Sequence, residues 1–307
     1  VFAISASTGQ ITVNDNNGLN FESTPTFNLT VEITDDTGVT DTATVTINVT
    51  NAAPSTPVDS DAATNSVSEA ALNGDSVGIN ADSVDLHGGA VMFQLTNNAG
   101  GRFTINATTG VVTVANASLL NFESATSHTI TVEANDGTDS STQDFTINIT
   151  NVAPNTPTDA DATANSVSEG ANNGDQVGID ADSSDVNGGT VSFSLTNDAG
   201  GRFAINPATG IVRVANASLL DFDSATSHLI TVQASDGTNA TTMDFTIAVT
   251  NAAPSVPVDG DATADSVSEG AVNGDLVGID ANSGDVNGGA VTFSLTNDAG
   301  GRFAING

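Results

Sequence analysis

Between residues 65 and 150, apolar and polar positions alternate in short runs, and clusters of Gly, Asn, Asp and Pro separate the runs. Val91, Phe93 and Leu95 share one face of such a run. Ile130, Val132 and Ala134 share a face of another, and Phe145, Ile147 and Ile149 of a third. Successive side chains of a strand point to opposite faces, so a period of two predicts a strand with one face in a core. The expected strands are 65–68, 76–80, 90–95, 102–105, 111–115, 128–134 and 143–150. No segment has helical periodicity of useful length. Seven short strands in about 100 residues suggest a β-sandwich with Greek-key connections.

The same pattern returns along the chain. TNAAPSTPVDSDA starts at Thr50, TNVAPNTPTDADA at Thr150 and TNAAPSVPVDGDA at Thr250. From Asn51 to Asn151 to Asn251 the step is 151 − 51 = 100 residues. SVSE recurs at Ser66, Ser166 and Ser266, and GGRF recurs with Arg102, Arg202 and Arg302. Agreement runs through the whole period, so each period is one folding unit. Phe2-Ala-Ile-Ser matches Phe303-Ala-Ile-Asn. The expected organisation is therefore a C-terminal half-repeat at 1–50, whole repeats at 51–150 and 151–250, and an N-terminal half-repeat at 251–307. Either the chain is a window of a longer repeat protein, or it complements itself head to tail. In the second case 251–301 of one molecule and 2–50 of the next would form one repeat. The fold class expected is all-β, with tandem seven-stranded Greek-key sandwiches in a linear array.

Composition narrows the function. The 307 residues include 37 acids and 4 basic residues, a formal charge of −33. All basic residues are Arg, and 30 of the 37 acids are Asp. A basic stripe for nucleic acid is excluded. No apolar run approaches the roughly 20 residues of a membrane helix. Without Cys there is neither a disulfide framework nor a thiolate zinc site. Such an acidic surface repels itself unless cations neutralise it. Three readings compete: a halophile-type solvated surface, an acidic face for a basic partner, and calcium coordination. Short Asp carboxylates in loops beside Asn and Gly favour calcium, a hard cation that takes six to eight oxygens. No single loop supplies that many carboxylates, so acids from several loops must converge where two sandwiches meet.

With these ordered motifs the chain resembles, over its whole length, the cadherin-like (cadherin/Ig-like) tandem repeats of large bacterial extracellular surface and adhesin proteins. The resemblance implies calcium ions at inter-repeat junctions. It carries the family's first-strand Glu onto Glu69, Glu169 and Glu269. The acidic tripeptide falls on Asn20-Phe21-Glu22, Asn121-Phe122-Glu123 and Asp221-Phe222-Asp223. The linker Asn falls on Asn51, Asn151 and Asn251. The Asp-x-Asp position falls on Asp180 and Asp182, and weakens to Asn80 with Asp82 and to Asp280 with Asn282. The sixth-strand Asp falls on Asp36, Asp136 and Asp236. The family's two linker Asp residues are missing here. Asp159 and Asp161, with Asp59 and Asp61 and with Asp259 and Asp261, stand where they could substitute, so one to three ions per junction are implied.

Asp and Asn also make turns and Asx caps, the preferred reading for Asp139 and Asp198. His128 and His228 occupy the place of Phe27, which marks a strand-packing position. His87 is a variable loop residue, with Asn187 and Asn287 as its counterparts. Arg102, Arg202 and Arg302 are expected to be charge partners among the carboxylates. No repeated pairing of His with a nucleophile suggests a triad. Asp221 and Asp223 could suggest glycosidase chemistry, but a site repeated at every period is improbable for an enzyme. The function expected is a calcium-rigidified extracellular structural and adhesive segment, either a stiff spacer or a surface filament. Its partners would be other repeats of the chain, homotypic neighbours, or a surface glycan or matrix. The alternatives are a carbohydrate- or protein-binding module and a head-to-tail fibre subunit.

Overall fold

The computed structural model describes residues 1–305. It divides the chain into two compact units, Val1–Val152 and Ala153–Gly307. In the first unit the strands are β1 (Phe2–Ile4), β2 (Ile11–Val13), β3 (Thr26–Thr34), β4 (Thr40–Asn48), β5 (Val58–Asp59), β6 (Ser66–Ser68), β7 (Ser76–Asp82), β8 (Met92–Asn97), β9 (Phe103–Ile105), β10 (Val111–Val114), β11 (Ser127–Asn135) and β12 (Ser140–Thr150). The alternating segments become strands as expected. The addition is β5, a two-residue strand in the linker. Its Val58 and Asp59 pair antiparallel with Asp82 and Ala81.

From β5 onward these strands form two sheets, in the orders β5–β7–β10–β9 and β6–β12–β11–β8. Consecutive strands β6 and β7, and again β8 and β9, therefore lie in different sheets. β11 and β12 pair antiparallel from Ser127↔Asn148 to Asn135↔Ser140. β6 joins β12 in parallel, with Val67 opposite Ile149. That parallel pair carries the chain directly into Glu69, whose N–H donates to the Thr150 carbonyl at 3.1 Å.

The core lies between the sheets. Val77, Ile79, Val112 and Val114 face Ile130, Val132, Ala134 and Ile147, and Phe103 and Leu120 close the layer. All are buried. Each large apolar side chain removed from water stabilises the fold by about 1.5–3 kcal/mol. Phe93 is buried as well, while Val91, Leu95 and Phe145 pack against the cluster from its margin.

The second unit repeats this design. Its strands are β13 (Thr158–Asp159), β14 (Ser166–Ser168), β15 (Gln176–Asp182), β16 (Ser192–Asn197), β17 (Phe203–Ile205), β18 (Ile211–Val214), β19 (Ser227–Ser235), β20 (Ala240–Thr250), β21 (Val258–Asp259) and β22 (Ala281–Asn282). The sheets run β13–β15–β18–β17 and β14–β20–β19–β16. In the flanking half-repeats the described strands form only the pairs β1–β2, β3–β4 and β21–β22. Core-type residues there are exposed: Ile33 is 69% accessible and Val267 49%, whereas Val67 is 6% accessible.

Two positions refine the sequence reading. Among the described residues no carboxylate pairs with Arg102. Its Nε donates to the Leu119 carbonyl at 2.9 Å and its Nη1 to the Ala99 carbonyl at 2.8 Å. Arg202 does the same to Leu219 and Ala199. The cause is local: Ala99 takes a left-handed φ of 54°, and this turn brings its carbonyl to the guanidinium. His128 stands opposite Ile147 in the β11–β12 register, with its ring 6.3 Å from that of Phe103.

Candidate metal centre

In the first unit three loops meet. Glu22 follows the 3₁₀ turn Asn16–Gly18 and precedes β3, Asp85 follows β7, and Asp136 lies in the turn between β11 and β12. One carboxylate oxygen from each lies within 4.8 Å of those from the other two. Asp85 is buried, Asp136 half-buried and Glu22 exposed. Two oxygens bound to one calcium at about 2.3–2.6 Å can stand up to about 5.2 Å apart, so this spacing fits a shared ion. Three carboxylates this close otherwise repel one another.

Each carboxylate is held by its own loop. Asp85 Oδ1 accepts the N–H groups of His87 at 3.1 Å and Gly89 at 3.0 Å. Asp136 Oδ1 accepts those of Thr138 and Asp139, and Asn51 donates its amide to Asp136 Oδ2 at 3.0 Å and to Asp139 Oδ2 at 3.1 Å. The backbone N–H groups of Asp139 and Thr138, with the Asn51 amide, hold the Asp136 carboxyl below the usual Asp range. Asn20 Nδ2 reaches the His87 carbonyl at 3.3 Å. Gly89 leaves the necessary space: a Cβ there would stand 3.2 Å from Asp85 Cγ and 3.4 Å from Glu22 Cγ. A cleft of about 330 Å³ opens beside the cluster, lined by Phe21, Glu22, Asn51, Asp85 and His87 among others.

Glu69 is fully buried. Its Oε1 accepts the N–H of Val152 at 2.8 Å and its Oε2 that of Phe122 at 2.9 Å. One carboxylate thus ties the linker to the segment carrying Asn121 and Glu123. Asn121 caps its own turn, accepting from Ser124 N at 2.6 Å, while Glu123 is exposed. Asn151, in the linker, is half-buried.

The second unit repeats the Glu motif. Glu169 accepts from Ala252 N and Phe222 N, both at 2.8 Å. Asp221 accepts the Ser224 hydroxyl at 2.6 Å and the Ser224 N–H at 2.9 Å, and these two bonds lower its pKa. Asp223 and Asp285 both crowd the place a Cβ of Gly289 would occupy. The half-buried Asn287 reaches the carbonyls of Glu169, at 3.1 Å, and Leu220. Asp236 holds its turn through Thr238 N and Asn239 N. Asn251 is exposed.

The other expected residues sit at strand ends and in turns of their own units. Asp82 and Asp182 end β7 and β15 and point to solvent. Asp61, Asp161 and Asp261 accept backbone N–H groups of Ala63, Thr163 and Thr263, as turn residues do. Asp159 Oδ1 braces the N–H groups of Asp161 and Asp180, and Asp259 braces Asp280 likewise. The inserted Asp pairs thus accept the backbone N–H groups of their own turns. In the first half-repeat Asp35, not Asp36, takes the turn role of Asp136, accepting from Thr37 N and Val39 N.

Asp85 was not among the expected ligands. The Asp-x-Asp pattern drew attention to Asp82, three residues earlier. The available signal was the return of Asp85 as Asp185 and Asp285, each four residues before a glycine. Burial also separates them: Asp85 and Asp185 are each 8% exposed.

Residues 63–150 match the family model described as Cadherin domain. Human Protocadherin Fat 1 is 30% identical over 169 residues, 51% of this chain and 4% of that protein. Human Protocadherin Fat 4 is 29% identical over 154 residues, 48% of this chain and 3% of that protein. The chain therefore spans only a few per cent of these relatives. Among solved structures, the Protocadherin GammaB4 extracellular domain has a TM-score of 0.40 at 21% identity, covering 94% of this chain and 49% of that one. Protocadherin Gamma B2 extracellular cadherin domains 1–5 give 0.39 at 19%, covering 81% and 49%. Residues 63–150 thus match a cadherin domain, and they supply strands β6 to β12 of the two sheets β5–β7–β10–β9 and β6–β12–β11–β8.

Proposed function

We propose that the chain is a segment of an extracellular adhesive protein whose repeats are stiffened by calcium at their junctions. The observation that carries this reading is the meeting of Glu22, Asp85 and Asp136 within 4.8 Å, drawn from both sides of the step between residues 1–50 and 51–150. In the calcium-bound form, oxygens from the two repeats share one ion, so bent arrangements that pull them apart lose those bonds. Calcium then shifts the population of the joint towards one geometry, and its removal restores the others. Asn51 braces Asp136 at this site, and Glu69 and Glu169 fix the linkers at Val152 and Ala252. The working role is a stiff spacer or the body of a surface filament, on a cell surface or secreted. Bacterial surface proteins are the setting that the motif pattern resembles. The partners we infer are neighbouring repeats and homotypic copies, with surface glycan or matrix as further candidates.

The test is a calcium titration of the 307-residue chain, read by melting temperature and small-angle scattering, with magnesium and sodium chloride as controls. Extracellular calcium modules bind at about 10⁻⁴–10⁻³ M. Millimolar calcium should raise the melting temperature and narrow the distribution of particle lengths. If sodium chloride at matched ionic strength does as well, the acids are a solvated surface and the proposal fails.

A further inference from the structure

The whole repeats carry an ionisable side chain at a packing position. His128 Nε2 and His228 Nε2 are buried, and among the described residues no acceptor lies within hydrogen-bond reach of either. Each ring lies against a phenylalanine, Phe103 at 6.3 Å and Phe203 at 6.2 Å. Across the sheet stand Ile147 and Ile247. The charged groups bearing on the two rings are Arg102 and Arg202, and both are positive. Those guanidiniums are fixed by the carbonyls of residues 119 and 99, and of 219 and 199, so they cannot swing away without breaking those bonds. Among the described residues the charged group acting on each ring is that Arg, not a carboxylate. The homologous Phe27, which cannot ionise, packs edge-on against Phe2 at 5.2 Å.

We propose that His128 and His228 are acid-sensing elements that loosen the two whole repeats when their imidazoles take up a proton. A second proton on the ring puts N–H donors and a positive charge into an apolar layer beside a fixed Arg. Burial, and secondarily the Arg charge, lower the pKa of both residues in the folded chain. The sign follows from linkage. The unfolded chain binds this proton more readily than the folded one, so the stability is intact above the ordinary His value of about 6.5. It is lost progressively as the pH falls below that value and through the folded one. The acidic surface acts in the opposite direction, because protonating carboxylates relieves self-repulsion.

The experiment compares the 307-residue chain with the H128F/H228F double variant, in chelator, from pH 7.5 to 5.5. The unmodified chain should lose about 2–5 °C of melting temperature relative to the variant over this window. Phe27 is the precedent for the substitution, and H128Q/H228Q is the second variant should Phe pack poorly. Proton NMR of the ring Cε1–H supplies a readout independent of folding. His128 and His228 should titrate below about 6.5, the value of an unstructured histidine. The proposal is overturned if the unmodified and variant chains show the same pH dependence, or if both rings titrate at the unstructured value.

Discussion

Neutralising Asp85 gives the sharpest test of the proposed junction, because its effect should change sign with calcium. Asp85→Asn keeps an oxygen at Oδ1 for His87 N and Gly89 N, so the loop retains its brace. The substitution removes one of three charges that stand within 4.8 Å. For the Glu22–Asp85 pair alone, Coulomb repulsion at that spacing is about 1 kcal/mol in water and about 3 kcal/mol at an effective dielectric of 20. Glu22 is exposed, so the lower figure applies. In chelator the variant should be more stable by up to about 1 kcal/mol, a rise of about 2–4 °C for a unit of this size.

In calcium the comparison reverses. A site of about 10⁻⁴ M dissociation constant at 10 mM calcium gains about 2.7 kcal/mol by mass action. A weakening of about 100-fold leaves roughly 0.4 kcal/mol, so the variant should melt about 3–6 °C below the parent at saturation. The assay is differential scanning calorimetry of both chains in chelator and in 10 mM calcium, roughly 100 times that dissociation constant. If Asp85→Asn lowers the melting temperature equally in both buffers, Asp85 serves only as a turn brace. The ligand argument would then be wrong.

Two further predictions concern the scaffold. Gly110 has φ 73°, and a Cβ there would run into the Ala81 carbonyl. Gly110→Ala should therefore cost about 2–4 kcal/mol, combining left-handed strain with the clash, measurable by urea denaturation. Ala99 holds φ 54°, a left-handed value strained for an L side chain, while its methyl packs at the margin of the core. Ala99→Gly should stabilise the first unit by about 0.5–1 kcal/mol, and an unchanged or lower urea midpoint would contradict the strain argument.

Much of the scaffold was legible because β-strands write their burial directly into alternate positions. Ile130, Val132 and Ala134 alternate in the sequence and are all buried. The linker strand β5 was not legible, since two residues are too few to show a period, and Pro57 precedes them. The acidic cluster was partly legible. Glu22 and Asp136 stood out by motif and period, and the structure brings them together. Asp82 stood out equally and points to solvent, while the silent Asp85 is buried beside Glu22. Sequence spacing cannot separate the two, because the loop after β7 turns the chain through Ser83 and Val84 before Asp85 faces inward.

The roles of charged residues divide the same way. Arg102 looked like an ion-pair partner in an acidic chain. The turn at Ala99 instead presents carbonyls to it, and those bonds depend on backbone direction, which composition does not encode. By itself the sequence determined the all-β class, the 100-residue period, the acidity and the apolar faces, since these depend on local periodicity and on residue type. Only the tertiary structure decided which carboxylates converge, which ones brace their own turns, and that the imidazole of His128 packs against Phe103 beside a fixed Arg. Those outcomes depend on loops far apart in the chain meeting in space, and neither residue type nor spacing fixes how a loop turns.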